Sequence, residues 1–159
     1  MRDLKSILRG GYCTRWHANP DMAHIRETLA DHHARVAQII LALHPEPSLE
    51  LIDAALHHDC GEPAVGDVPW PVKRDNQHLN DVLDEIEAKE RRRIGVPDVT
   101  GEDAEWLKFA DRLAGWMHVK HTNPDALDCD DWRNDGWALS AMAENLGIWS
   151  RVAKIMGVI

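Results

Sequence analysis

Apolar residues recur along this chain at spacings of three and four, which is the period of an amphipathic helix. Alternating runs of β-branched residues, the usual pattern of a strand, are missing from the sequence. Thr28 with Asp31 resembles a capping box, and Ser48 is a suitable N-cap for the next helix. The predicted helices run from Thr28 to His44, from Ser48 to near Gly61, from about Asn76 to Ile94, from Thr100 or Glu102 through Met117, and from about Asp131 to Met156 with a bend near Gly136 or Gly147. The pattern predicts an all-α protein, a single compact bundle of about five to seven helices over residues 1–159.

A segment rich in glycine and proline interrupts the helices between residues 59 and 76. Gly61, Pro63, Gly66, Pro69 and Pro71 exclude a long helix there and predict a stiff, structured loop of the kind that often carries function. In the helix that follows, we expect one face to be buried and the other to be solvated. The residues expected to face inward are Leu79, Val82, Leu83, Ile86 and Ile94, and those expected to face water are Glu85, Glu87, Lys89, Glu90 and the basic run 91–93.

The charge of the chain limits the partners that it can bind. Its 159 residues carry a formal net charge of -9, which repels polyanions and argues against a nucleic-acid surface while allowing a small phosphorylated ligand. No apolar run approaches the roughly 20 residues that span a bilayer, and residues 1–11 lack the apolar core of a signal peptide. Three widely spaced cysteines fit neither a disulfide framework nor a thiolate zinc site. We therefore expect a cytoplasmic protein, in the host cytoplasm if it is viral, with no membrane partner.

Three predicted helices carry polar side chains at positions that helical periodicity predicts to be buried. His32 and Asp111 each lie on the apolar stripe of their own helix, while His58 and Asp59 stand together at the end of another. Each residue alone is most simply a hydrogen-bonded or ion-paired core residue, but four of them in one small domain are difficult to satisfy separately. Imidazole nitrogens and carboxylate oxygens suit Mn, Fe, Co, Ni or Zn better than Ca. The pattern therefore predicts a divalent metal site.

The order of these residues resembles the signature of the HD-domain metal phosphohydrolases: a histidine, an adjacent His-Asp pair and a distant aspartate. The block HHDCGEPAVGDVPWPVK at residues 57–73 is similar to the HD-x-x-E…GD-x-P-x-P-x-K block of the YfbR-type 5'-deoxynucleotidases. Further motifs of that family match in the same order, namely RW at 15–16, ETLADHHARVA at 27–37 and FADRL at 109–113. The RWHA segment and the HPEPS turn also resemble small phage HD enzymes that hydrolyse dATP.

The resemblance implies a role for each matching residue. The implied metal ligands are His32, His58, Asp59 and Asp111, which would hold one divalent ion such as Co, Mn or Zn, with a further divalent ion accompanying a triphosphate substrate. Glu62 is implied to orient or deprotonate the attacking water, and Asp67 to act at the leaving 5'-oxygen or the sugar. The implied substrate-binding residues are Arg15 and Lys73 at the phosphate, and Trp16, Trp70 and Pro71 at the nucleoside.

One ligand assignment stays open, because His33 directly follows His32 where the family has a small polar residue. A helix places His33 about 100° away from the apolar stripe, which favours His32. We expect His57 to pack beside the site, and the other histidines to have surface or local roles: His17, His24, His44, His78, His118 and His121. The tryptophans expected to be plain core are Trp106, Trp116, Trp132, Trp137 and Trp149.

The sequence supports three functional hypotheses. The favoured one is metal-dependent hydrolysis of the 5'-phosphate ester of a deoxynucleotide. Its most specific form is a phage-type homo-oligomer that converts dATP to deoxyadenosine and triphosphate. The alternative form is a 5'-deoxynucleotidase that acts on dNMPs. A triphosphate needs more cations, and the candidates are Lys5, Arg9, Arg26, Arg35, Lys73 and Arg74. The second hypothesis is a non-catalytic HD nucleotide-binding module, and the third is a structural metal in a helical interaction domain.

Overall fold

The computed structural model of the protein describes residues 2–66 and 68–159. Eight α-helices run through these ranges: α1 (Leu4–Gly10), α2 (Leu29–Leu43), α3 (Leu49–Ala55), α4 (Trp70–Asp75), α5 (Gln77–Ile94), α6 (Glu102–Thr122), α7 (Asp130–Asn145) and α8 (Trp149–Met156). Short 3₁₀ turns lie at Glu62–Ala64 and Pro124–Asp128. No strand occurs in the described ranges, and their β-type pairing is limited to an isolated bridge between Thr14 and Thr28. The all-α prediction is confirmed.

The described residues form eight α-helices, whereas the sequence predicts about five to seven. Helices α1 and α4 are only seven and six residues long, too short to establish an apolar period. The predicted last helix is divided into α7 and α8 at Gly147, whose φ of 70° is the left-handed conformation that glycine adopts at low cost. Gly136 stays inside α7 and produces no break.

The predicted caps at the start of α2 and α3 are confirmed. Thr28 and Asp31 form a reciprocal capping box, and the Ser48 hydroxyl accepts the backbone N–H of Leu51. Helix α3 ends at Ala55, earlier than the predicted Gly61. Tight turns follow, because the backbone N–H groups of His57, Cys60 and Glu62 bond to carbonyl oxygens three residues back. The N–H of Asp59 instead donates to the His33 side chain of α2.

Helix α6 packs against α2, α3 and α7, so the apolar core forms around it. The fully buried side chains of this core include Val36 and Ile40 of α2, Phe109 of α6, Leu139 of α7 and Val152 of α8. Each buried side chain of this size contributes about 1.5–3 kcal/mol of transfer free energy. Within the described residues, no helix is both long and apolar enough to cross a membrane.

Helix α5 departs from its predicted faces. Leu83 and Ile94 are buried as expected, but Leu79, Val82 and Ile86 each remain about two-fifths exposed. Glu87, predicted to face water, is buried. The reason is that α5 packs on α4 and on the turn at Glu62–Ala64, where the Glu87 carboxylate lies 3.4 Å from Lys73 Nζ of α4 and 3.9 Å from Arg91 Nη1 of α5 itself.

The tryptophan prediction is wrong at one position. Trp106 and Trp116 are buried, while Trp132 and Trp149 are partly buried against the core. Trp137 is 70% exposed on α7. Its neighbours on α7, Leu139 and Ala143, supply the buried face of that helix, so Trp137 is left on the solvent side.

Candidate metal centre

Three helices that pack on one another bring four potential metal ligands together. His32 lies in the second turn of α2, Asp111 lies in the middle of α6, and His58 and Asp59 follow the end of α3. One ligand atom from each of the four residues lies within 4.8 Å of all the others. The structure therefore joins residues that are 79 positions apart in the chain, as the broken apolar stripes predict.

The distances within this cluster are short. His32 Nε2 lies 2.8 Å from Asp111 Oδ1 and 3.7 Å from Asp59 Oδ2. His58 Nε2 lies 3.2 Å from Asp59 Oδ2 and 3.6 Å from Asp111 Oδ1. Two imidazole nitrogens thus face two carboxylate oxygens in a space that one cation can fill.

The hydrogen bonding of His58 shows that the cluster fits a cation. Its Nδ1 lies 3.1 Å from the carbonyl oxygen of Ala55, so the ring donates its proton there. That leaves the Nε2 lone pair directed at Asp59 and Asp111, and this buried nitrogen makes no hydrogen bond with the described residues. Lone pairs facing carboxylates repel unless a positive charge lies between them. The donor set, two nitrogens and two oxygens, is one that divalent transition ions accept.

The pKa values of His58 and Asp59 also indicate that positive charge is stabilised in the cluster. Burial lowers the pKa of His58, but Asp59 and Asp111 outweigh burial and raise it to about 10. Burial raises the pKa of Asp59, whereas His58 brings it below its ordinary value. In the absence of metal, the site therefore retains a proton in the place of the cation.

His33 is placed outside the cluster. Its Nε2 accepts the backbone N–H of Asp59 at 3.3 Å, and its ring lies tilted against that of His58, with the two centroids 4.8 Å apart and the planes at 59°. Burial, and then the neighbouring His58, lower the pKa of His33 to about 3, so the ring is neutral. Of the two adjacent histidines, it is His32 that the structure brings to the other ligands, and His33 supports the backbone of Asp59.

One carboxylate and two cations lie around the four clustered side chains. Glu62 is buried in the turn that follows Asp59. Burial lowers the pKa of Arg15, but nearby carboxylates, led by Asp59 and Asp111, raise it above its ordinary value. Burial likewise lowers the pKa of Lys73, and Glu87 followed by Glu62 raises it. The buried Nη1 of Arg15 has no hydrogen-bond partner among the described residues, which is unusual for so polar an atom.

The comparison with known families agrees with this geometry. A family described as 5'-deoxynucleotidase YfbR-like matches residues 4–97, more than half of the chain. The chain belongs to this YfbR-like family. It is therefore an HD-domain phosphohydrolase, and the family together with the His/Asp cluster implies a divalent metal ion and a small deoxynucleotide substrate. No curated protein and no solved structure matches the chain. Asp111 lies beyond the family match, so its place in the cluster comes from the fold.

Trp16 of this YfbR-like chain is held in an unusual backbone conformation. Its φ of 66° is the only positive value for a non-glycine residue in the described ranges. The indole N–H donates to Glu27 Oε2 at 2.5 Å, and the ring stacks on His118 with an interplanar angle of 15°. Such strain persists only where the surroundings fix it, and it is concentrated at functional sites.

The other predicted substrate-binding residues are exposed or cannot be placed. Trp70 is 53% exposed, and the Arg112 guanidinium lies 5.4 Å from its ring centroid. Arg112 directly follows Asp111 on α6, so the indole lies near the cluster. Pro71 is exposed at the start of α4. Asp67 lies outside the described residues.

Sequence reasoning missed several residues that surround the cluster. Glu27 is buried, accepts a hydrogen bond from Arg35 and lies 3.7 Å from His118 Nδ1. His118 is itself buried, although a local role at the surface was expected. Its spacing of seven from Asp111 places it on the same face of α6 and is a signal that could have found it. His57 instead bonds to Asp53, one turn back.

Proposed function

We propose that this protein uses one divalent transition metal ion, held by four side chains, to hydrolyse the 5'-phosphate ester of a deoxynucleotide. The ligands are His32, His58, Asp59 and Asp111. The observation that carries the proposal is the convergence of these donors beside a buried carboxylate and two cations. A cation bound there supplies Lewis acidity toward a phosphoryl oxygen and lowers the pKa of a water molecule.

Glu62 is the residue assigned to the attacking water. It lies in the turn directly after Asp59, close enough for its charge to affect Arg15 and Lys73, but it is not one of the four clustered ligands. A carboxylate in that position can hold a water molecule by one oxygen and accept its proton. Asp67 follows Glu62 by five positions in the sequence. It is assigned to the leaving 5'-oxygen or the sugar by family resemblance alone.

Arg15 and Lys73 are assigned to the phosphate. The Arg15 guanidinium is buried among carboxylates and keeps one nitrogen without a partner, so it can offer a charge-assisted hydrogen bond to a phosphoryl oxygen. Lys73 Nζ of α4 lies 3.4 Å from Glu87 Oε1, which holds the ammonium against α5. Trp16, Trp70 and Pro71 are assigned to the nucleoside, with Trp16 as the fixed wall and Trp70 as the exposed one.

The finer choice of substrate is between dATP and the deoxynucleoside monophosphates. Both are attacked at the same α-phosphorus, so the catalytic residues do not distinguish them. The family's own description supports a 5'-deoxynucleotidase, and the dATP triphosphohydrolase reading rests on the resemblance of the RWHA and HPEPS segments. We further propose a cytoplasmic homo-oligomer, at least a dimer, with Co, Mn or Zn as the metal and a second divalent ion accompanying any triphosphate.

The test is a product assay over all dNMPs and dNTPs with added Mn or Co, separating inorganic phosphate from triphosphate. Phosphate from several dNMPs supports the 5'-deoxynucleotidase, whereas triphosphate from dATP alone supports the narrower activity. Asp59→Asn serves as the matched variant that removes a ligand. Nucleotide binding without any product would overturn the proposal in favour of a non-catalytic module.

A further inference from the structure

A cavity of about 270 Å³ opens beside the metal ligands on the side of α5. Three of the four clustered side chains, those of His58, Asp59 and Asp111, line it. Pro97, Val99 and Leu107 give it an apolar wall. Two cations line it as well, Arg91 and Lys108, and neither is among the residues that sequence analysis connects with a phosphate.

Arg91 is fixed in this cavity rather than solvated at a helix end. Its Nη1 donates to the carbonyl oxygen of His58 at 3.4 Å, and its side chain is only 23% exposed. Asp98 Oδ1 lies 3.5 Å from its Nε, and Glu87 Oε2 lies 3.9 Å from its Nη1. The guanidinium is thereby held directly behind the His-Asp pair.

Lys108 lies on α6 three residues before Asp111, so the two share one face of the helix. Three residues of helix rise about 4.5 Å along the axis. Among the described residues, the Lys108 ammonium has no hydrogen-bond or ion-pair partner, so its charge is available to a ligand.

The charges of the cavity leave room for an anion. A divalent ion held by the cluster would offset the Asp59 and Asp111 carboxylates, and Arg91 offsets Asp98. The charge of Lys108 then remains uncompensated.

From this arrangement we propose that the cavity is a polyphosphate subsite, in which Lys108 and Arg91 bind the two outer phosphoryl groups of a deoxynucleoside triphosphate. The inference rests on the proposed function and narrows it to an enzyme that accepts triphosphates as well as monophosphates. A nucleobase against the apolar wall is the competing occupant.

The direct test is calorimetric binding of inorganic tripolyphosphate to the metal-loaded protein. We expect Lys108→Gln to weaken binding about tenfold, equivalent to about 1.4 kcal/mol, and Lys108→Arg to retain most of it. Lys154→Gln, which removes an exposed charge from α8, is the matched control and should bind like the wild type. Absence of tripolyphosphate binding to the wild type, or equal binding by Lys108→Gln, would overturn the subsite.

Kinetics then separates the two possible occupants. We expect Lys108→Gln to raise KM for dATP about tenfold more than KM for dAMP. Equal changes for dATP and dAMP, or a change that follows the identity of the base, would assign the cavity to the nucleoside instead. Should no nucleotide be hydrolysed, the proposed function fails, while tripolyphosphate binding still decides the subsite.

Discussion

Gly61, two residues after Asp59, lies against the backbone of α5 and offers a sharp test of the packing beside the His/Asp cluster. A Cβ atom at this position would lie 2.6 Å from Glu87 O and 2.8 Å from Glu87 Cα. Both atoms belong to the backbone of α5, which cannot rotate away as the end of a flexible side chain can. The φ of Gly61 is -80°, which suits any residue, so the constraint on position 61 is space alone.

Gly61→Ala therefore forces the loop and α5 apart. Overpacking of this kind costs about 1–3 kcal/mol. For a domain of this length, each kcal/mol lowers Tm by about 2–4 °C. We expect the Tm of Gly61→Ala to fall by about 6 °C. Metal affinity should fall with it, because Asp59 and Glu62 lie on the displaced loop.

The assay is thermal unfolding with and without metal, with Gly136→Ala as the matched control. Gly136 lies inside α7, where a Cβ meets Trp116 Nε1 at an ordinary 3.5 Å. Alanine there should stabilise the protein by up to about 1 kcal/mol, since glycine weakens a helix interior. A Tm for Gly61→Ala equal to or above that of the wild type would refute the close packing of the loop on α5.

Three further variants test separate parts of the account. Glu62→Gln should keep its metal content while turnover falls about 10²–10⁴-fold, because the base for water is lost; unchanged turnover removes Glu62 from that role. His33→Ala should weaken metal binding about 10–100-fold in a competition titration, because the acceptor for the Asp59 N–H is lost, and wild-type affinity would show that His33 has no positioning role. Trp137→Ser should change the free energy of unfolding by less than about 0.5 kcal/mol in a denaturant titration, since the ring is exposed; a loss of several kcal/mol would place Trp137 in an interface.

The part of the site that the sequence predicts is the part that helical periodicity makes visible. His32 and Asp111 interrupt apolar stripes, so a period of 3.6 residues already places them inside. The His-Asp pair ends its helix as expected, and the caps at Thr28 and Ser48 are local signals that need no tertiary contact.

The residues that periodicity misplaces are those whose surroundings come from distant segments. Glu87 and Arg91 lie on the polar face of α5. Only the folded segments that pack against that face bury Glu87 and half-bury Arg91. Lys73, which pairs with Glu87, is 14 residues away from it in sequence. Long-range ion pairs of this kind leave no mark in a local pattern. For the same reason the cavity beside the metal ligands is visible only in three dimensions.

The central claim is that the His/Asp cluster holds a metal ion on which deoxynucleotide hydrolysis depends. The most direct measurement combines metal analysis with activity before and after chelation, for the wild type and for Asp111→Asn. The account predicts one divalent ion per wild-type chain, hydrolysis that stops on chelation and returns with added Mn or Co, and loss of both metal and turnover in Asp111→Asn. Hydrolysis that survives chelation, or an Asp111→Asn variant with wild-type metal content and turnover, would contradict it.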